Sequence, residues 1–424
     1  MVEKKYWFYI DGYVHISMKG NELLLYNAYT KKLLEYNFDD RNAAAFRLVR
    51  RLLSPKAHRV VLLTTEDIKD ESINRLIREI RGYYMGDLLD TDYSKCKPFQ
   101  VPPRIKIQRD VRWLRNDASL IAGRNIMDNL SEITIFLNND CLQSCVDCDK
   151  YYRQFLCCTS VKSSLSGQFL GSSILQKIIF EIQRCDLDYI NISGGNIFLY
   201  PYLDSLEKLL NSIKCQKNFY LHYLNICQHL GHLELFRGMN KRLKLLVTFP
   251  LEEKKLKDTW IALSNMRIAV DPVFIIQNAQ EYNCIVELSS EMPGITPAFL
   301  PFFSGDNIKF FEENVYINRN DIERNKLKLQ NIYTNGVINS ENFGKIFIRS
   351  DGRIHSNINA PSLGLVGKDS IRHCILKELE SSSSWRNVRK NVMPCKACTF
   401  EKLCPPISNY SNAIGKYNLC HIKP

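Results

Sequence analysis

Hydrophobic and polar positions change rhythm three times along this chain. Near the start, "YWFYIDGYVHIS" and "NELLLYNAYTKKLLEYN" carry alternating or continuous apolar runs, cut at Asp11-Gly12 and at Lys19-Gly20-Asn21. Apolar runs bounded by such turn formers predict a short antiparallel meander. "DDRNAAAFRLVRRLLS" then opens with an acidic cap and repeats apolar residues at helical spacing, and "EDIKDESINRLIREIRGYY" does so again. Residues 1–95 therefore read as a small α+β module. The paired prolines of "KPFQVPPRIK" forbid helix and mark a linker, taken as 96–130.

From about residue 131 the texture alters. Short strand-like runs, "ITIFLNN", "LDYINIS", "FYLHYL", "LKLLVTF" and "IAVDPVFII", alternate with helical segments such as "SLEKLLNSIKCQ" and "LKDTWIALSNM". Alternation of this kind predicts repeated βα units, hence an α/β fold with a parallel sheet or barrel over 131–335. The last stretch, 340–424, departs again: "KIFIRSDGRIHS" predicts a hairpin about Asp351-Gly352, and "ILKELESSSSWRNVRKN" a helix that ends in a polar run, Ser381 to Ser384.

Composition narrows the class. A chain of 424 residues, 45% hydrophobic and 24% charged, is that of a folded protein of two or three domains. No N-terminal stretch resembles a signal peptide and no apolar run is long enough to span a bilayer, so a cytoplasmic location without membrane contact is expected. The net charge of +12 would suit an acidic partner, but the basic residues are spread thinly, which argues against nucleic acid.

A reducing compartment changes how the fifteen cysteines are read, because disulfides do not explain so many. Cys185, Cys215, Cys227 and Cys284 stand singly in apolar-periodic segments and read as small packing residues. Others cluster. Cys141, Cys145 and Cys148 fall at i, i+4 and i+7, which would be one face of a helix. Yet they begin right after the strand "EITIFLNN", behind the turn formers Asn138, Asn139 and Asp140, and are interleaved with Gln143, Ser144 and Asp147. Three thiolates on a loop leaving a parallel strand can hold three irons of a cubane and leave the fourth open. Cys157 and Cys158, just beyond, are placed on a helix as buried residues. At the other end Cys395, Cys398, Cys404 and Cys420 form a tetrathiolate set that either zinc or an iron–sulfur cluster would satisfy.

The spacing Cys-x3-Cys-x2-Cys after the first strand of a βα repeat resembles the radical S-adenosylmethionine superfamily. That resemblance implies a partial (β/α)6 barrel whose open iron chelates S-adenosylmethionine, cleaved reductively to a 5′-deoxyadenosyl radical. "INISGGN" lies where the family carries its Gly-Gly-Glu motif, which assigns Ser193, Gly194, Gly195 and Asn196, with Asp147, to the cofactor. Two positions depart from the pattern: Asp147 replaces a common aromatic, and Asn196 replaces the glutamate. The C-terminal run is similar to the SPASM extension of peptide-modifying radical enzymes, which assigns Cys395, Cys398, Cys404 and Cys420 to an auxiliary [4Fe-4S] cluster. Ser356, Asn357 and Ser408 stand where a first auxiliary cluster would find ligands, and Cys374 alone does not replace them, so one auxiliary cluster is expected.

Taken with "KYWFYIDGYVHIS", "SGGNIFLYPYL" and "CTFEKLCPPISNY", the chain looks like the "pseudo-rSAM" SPASM proteins of GG-Bacteroidales peptide-maturation systems. The resemblance implies three partners: a short precursor peptide with a Gly-Gly leader, a second radical maturase and an external electron donor. It also implies a leader-recognition role for residues 1–95, where Tyr26, Tyr29, Lys31 and Lys32 could meet an acidic leader. Three readings stay open at this level: a radical peptide maturase, a catalytically silent partner that holds the precursor for another maturase, and a zinc-stapled interaction protein.

Overall fold

The computed structural model describes residues 4–94, 96–100, 126–143, 145–159, 167–381 and 383–422. Most of the expected linker, Ser144 and Ser382 lie outside the described residues.

Two three-stranded antiparallel sheets build the N-terminal module. One has the order β5 (Val60–Thr64), β1 (Lys5–Ile10), β6 (Gly86–Asp90); the other is a meander of β2 (Val14–Lys19), β3 (Glu22–Asn27), β4 (Leu33–Asn37), from which β1, expected as its first strand, departs because it pairs with β5 and β6. Helices Ala43–Leu53 and Glu71–Gly82 pack on them. Glu71–Gly82 starts where the Asp70 carboxylate accepts hydrogen bonds from the Ser72 and Ile73 amides, and it buries Ile73, Leu76, Ile77 and Ile80 along one stripe.

β3 differs from its neighbours because its apolar run is continuous. Period-2 alternation sends Leu23 and Leu25 into the module's own core, and Leu24 and Tyr26 into a second core with Ile322, Ile332, Phe400, Leu403 and Cys404. The Tyr26 hydroxyl and the Lys31 ammonium both donate to the Leu327 carbonyl, at 3.0 Å each. Tyr26 and Lys31 are thus committed to this joint, not open to a peptide. Tyr29 remains exposed. Ion pairs Lys19–Glu401 (3.2 Å) and Arg319–Glu35 (2.7 Å) flank the joint.

The remainder is organised by a nine-stranded sheet of order β12-β11-β10-β9-β8-β7-β13-β14-β15. β7 (Glu132–Phe136), β8 (Tyr189–Ser193), β9 (Gln216–His222), β10 (Lys241–Val247), β11 (Val270–Ile276) and β12 (Ala298–Pro301) are parallel and lie side by side in chain order. Chain-order pairing of parallel strands is what successive right-handed βα crossovers produce. β12, only four residues long, carries too little alternation to be read from sequence. β13 (Lys345–Ile348) was expected as one arm of a hairpin, and it does pair with β14 (Arg353–His355), to which β15 (Gly364–Leu365) adds. Its other edge lies parallel to β7, so the C-terminal part continues the same sheet.

The two faces of the parallel strands differ chemically. Ile133, Ile135, Ile190, Ile192, Phe219, Leu221, Leu243 and Leu245 pack against the helices. On the other face Thr134, Asn191 and Asn218 form a ladder: Asn191 Nδ2 donates to Thr134 Oγ1 (3.2 Å) and Asn218 Nδ2 to Asn191 Oδ1 (2.9 Å). Among the described residues no helix is long and apolar enough to cross a membrane.

Candidate functional site

The sequence-predicted residues gather at the C-terminal ends of the parallel strands, where loops of such sheets converge. Cys141 and Cys145 lie on irregular backbone after β7, and Cys148 is the first residue of the helix Cys148–Gln154. The cysteines therefore do not share a helix face. Ser193 closes β8, His222 closes β9 and Thr248 follows β10.

The cysteine loop and the glycine turn are bound directly to each other. The Asn196 amide donates to the Asp140 carbonyl at 2.6 Å, and Asn138 Nδ2 donates to the Asn196 carbonyl at 3.1 Å. Gly194 (φ +129°) and Gly195 (φ +51°) adopt backbone that favours glycine, and a Cβ on Gly195 would stand 2.1 Å from the Asp140 carbonyl oxygen. Close approach explains both glycines, but the approaching group is the chain's own cysteine loop.

Cys157 and Cys158 come next to this turn. Expected on a helix, they lie beyond its end at Gln154, on irregular backbone, and are buried. The Cys157 carbonyl accepts from Ser193 Oγ (2.7 Å), and the Cys158 carbonyl from the amides of Gly194 (3.0 Å) and Gly195. The two thiols are 3.7 Å apart.

Burial, reinforced by the Cys141 and Cys157 thiols, pushes the Cys145 thiol up to about 11, and burial with Cys157, Cys145 and Cys141 pushes Cys148 up to about 12. Hydrogen bonding from Cys158 works against burial to hold Cys157 below the usual thiol range. Among the described residues no cation stands among the leading causes at Cys145 or Cys148. A metal that replaces the thiol protons is what such a set lacks, so the donors fit an iron–sulfur group.

Several participants carry no signal in the sequence. Asn225 is fully buried, accepts from Gln143 Nε2 at 3.1 Å and points its own amide nitrogen at Cys141 Sγ, 3.9 Å away. His222 shares a 2.9 Å hydrogen bond with Thr248 Oγ1, and burial lowers it to about 4, which keeps the imidazole neutral. The Thr248 hydroxyl works against burial at the Cys145 thiol. No motif spacing links residues from β9, β10 and the cysteine loop, so only the fold unites them.

Beside the glycine turn, Asn138 Oδ1, Asn139 Oδ1 and Asn196 Nδ2 are buried without a partner among the described residues. Two acceptors and one donor fit a ligand with an ammonium and a carboxylate. Asn196 Oδ1 is already spent on the Phe198 amide (3.1 Å), and the Asp147 carboxylate is paired with Lys150 at 2.9 Å.

The C-terminal cysteines form a second site. Cys395, Cys398, Cys404 and Cys420 line one cavity with Arg389, Glu401 and Asn418. Burial pushes Cys404 up to about 12, opposed by the Arg389 charge. Where a first auxiliary cluster would sit, Ser356 Oγ donates to Glu378 Oε2 (2.8 Å) and Asn357 Nδ2 to Asn342 (2.8 Å) and Asn409 (2.9 Å). Cys374 is wholly buried in the main core. Among the described residues, no three His, Cys, Asp or Glu side chains converge tightly enough to hold a single metal ion. In a cubane each thiolate binds a different iron, a wider arrangement than ligands around one ion.

No protein-family model matches the chain, and no curated protein does. Among solved structures the chain is similar to Streptococcus suis SuiB bound to the precursor peptide SuiA, with 12% identity and a TM-score of 0.49 over 98% of this chain and 100% of that one. SuiB bound to S-adenosylmethionine gives 12% identity and a TM-score of 0.46, over 98% and 99% of the two chains.

Proposed function

We propose that this chain is an iron–sulfur protein of the radical S-adenosylmethionine/SPASM type that serves the maturation of a ribosomally made peptide. On this reading 131–335 is a partial (β/α)6 barrel and 340–424 a SPASM-like extension. Cys141, Cys145 and Cys148 hold a [4Fe-4S] cluster with one open iron, and Cys395, Cys398, Cys404 and Cys420 hold an auxiliary one. The observation that carries the reading is the meeting, at one mouth of chain-ordered parallel strands, of the Cys141, Cys145 and Cys148 loop with buried polar atoms of Asn138, Asn139 and Asn196 that have no partner among the described residues.

S-adenosylmethionine at the open iron would supply a 5′-deoxyadenosyl radical after one electron from an external donor. The protein's share is positional. Asn138 and Asn139 offer carbonyl oxygens to the ligand's ammonium, Asn196 offers its amide nitrogen to the carboxylate, and Ser193, Gly194 and Gly195 fix that turn through Cys157 and Cys158. Asn225 and Gln143 orient the loop at Cys141. In the N-terminal module, both sheets end in strands with one unpaired edge among the described residues, a surface to which a precursor leader can add as a further strand.

Protein reconstituted anaerobically with iron and sulfide should release 5′-deoxyadenosine from S-adenosylmethionine under reduction. Absence of that product in protein shown to hold the loop cluster refutes the catalytic reading. It then favours a silent partner that binds the precursor for a separate maturase. Three observations favour that outcome: Asn196 carries no charge, Asp147 is held by Lys150, and the Ser193 hydroxyl and both glycine amides are bound to the Cys157–Cys158 segment. Zinc without iron or sulfide in anaerobically purified protein would replace both with an interaction protein.

A further inference from the structure

The C-terminal cavity contains one cation whose placement the cysteine pattern does not explain. Arg389 is 7% exposed and lines the cavity with all four thiols. Its Nε donates to the Pro405 carbonyl at 2.6 Å, while Nη1 donates to the Tyr417 carbonyl at 2.8 Å and to Cys395 Sγ at 3.3 Å. The Pro405 and Tyr417 carbonyls hold the guanidinium plane, so its direction toward Cys395 is set by the fold. No carboxylate is paired with it as a salt bridge among the described residues, and Glu401, the acid of the cavity, is taken by Lys19. A buried guanidinium without a carboxylate requires another anion. Four thiolates around a [4Fe-4S]2+ core carry two net negative charges, and three after one-electron reduction, so the guanidinium favours the reduced form more than the oxidised one.

We propose that Arg389 is a positioning residue of the C-terminal cluster: it donates an N–H···S hydrogen bond to the Cys395 thiolate and raises the cluster's reduction potential, suiting the site to accept electrons. Hydrogen bonds to cluster sulfurs and local net charge are two of the levers by which a protein sets such potentials. This rests on the iron–sulfur reading of the site given above.

The test uses the full chain with Cys141, Cys145 and Cys148 replaced by Ala, so that only the C-terminal cluster remains, reconstituted anaerobically and titrated electrochemically with detection by electron paramagnetic resonance. Arg389→Met should move the midpoint to more negative potential. Arg389→Lys, which keeps a charge but loses the planar fork, should fall between the two and guards against collapse of the Met variant. Iron and sulfide present with all midpoints alike would overturn the role of Arg389 and leave the cluster reading intact. Zinc in place of iron would overturn that reading, and this inference with it.

Discussion

Replacement of Gly195 by Ala tests how the cysteine loop is seated. Two costs are separable. A non-glycine residue at φ +51° in the left-handed region costs roughly 1–2 kcal/mol. The added Cβ would also lie 2.1 Å from the Asp140 carbonyl oxygen and 2.7 Å from its carbon, and because both are backbone atoms, relief requires the loop to shift. Overpacking of this kind costs about 1–3 kcal/mol. The total, about 2–5 kcal/mol, is a large fraction of a typical domain's stability. Gly20→Ala isolates the first cost, since Gly20 has φ +56° and nothing within 4 Å of a new Cβ. Urea unfolding of both variants, with iron counted after reconstitution, gives the comparison. Gly195→Ala should be the less stable by at least about 1 kcal/mol, and it should lose iron from the loop site because Asp140 leads directly into Cys141. Equal stability losses with full iron loading would refute the close-approach argument.

Other outcomes follow from buried polar groups. The Glu378 carboxylate accepts from Ser356 Oγ (2.8 Å), from the amides of Ser384 (2.7 Å) and Trp385 (2.8 Å), and from Ser383 Oγ. Glu378→Ala strands these donors at about 1–3 kcal/mol each, so its urea midpoint should drop well below that of Glu378→Gln; equal midpoints would count against the network. Burial, helped by Lys402 and Arg59, lowers His15 to about 3. The unfolded chain therefore takes up a proton near pH 6.5 that the folded chain refuses, and stability, full above that pH, falls by a few kcal/mol as pH drops toward about 3. His15→Leu should flatten that part of the stability curve, and an unchanged acid slope would contradict it. Leu24→Ala, at the joint, should cost about 2–5 kcal/mol and speed proteolytic release of the N-terminal module. Cleavage at the wild-type rate would speak against the joint.

The elements most legible in the sequence were those with a clear period. Five runs read as strands became β7 to β11, and Asp351-Gly352 did mark the β13–β14 turn. The cysteine spacings singled out residues that the fold does bring to two places, one at the strand mouth and one around a cavity. What stayed hidden was long-range. Nothing local in "KIFIRS" says that β13 will lie parallel to β7, more than two hundred residues earlier. Asn225, Thr248 and Arg389 have ordinary neighbours in sequence and acquire meaning only from strands and turns that bring them to a sulfur. Cys157 and Cys158 were misplaced on a helix because "YYRQFLCC" keeps a helical rhythm past Gln154; Phe155 is in fact extended, at φ −152° and ψ 169°.

The two-sided burial of β3 has a consequence for synthesis. One of its faces is covered by the first ninety residues, but Leu24 and Tyr26 share their core with Ile322, Ile332, Phe400, Leu403 and Cys404. While the chain leaves the ribosome, the N-terminal module can fold and yet must display an apolar strip until almost the last segment arrives. Cys398 and Cys404 belong to that late segment. The first part of the protein to be made is therefore among the last to be finished.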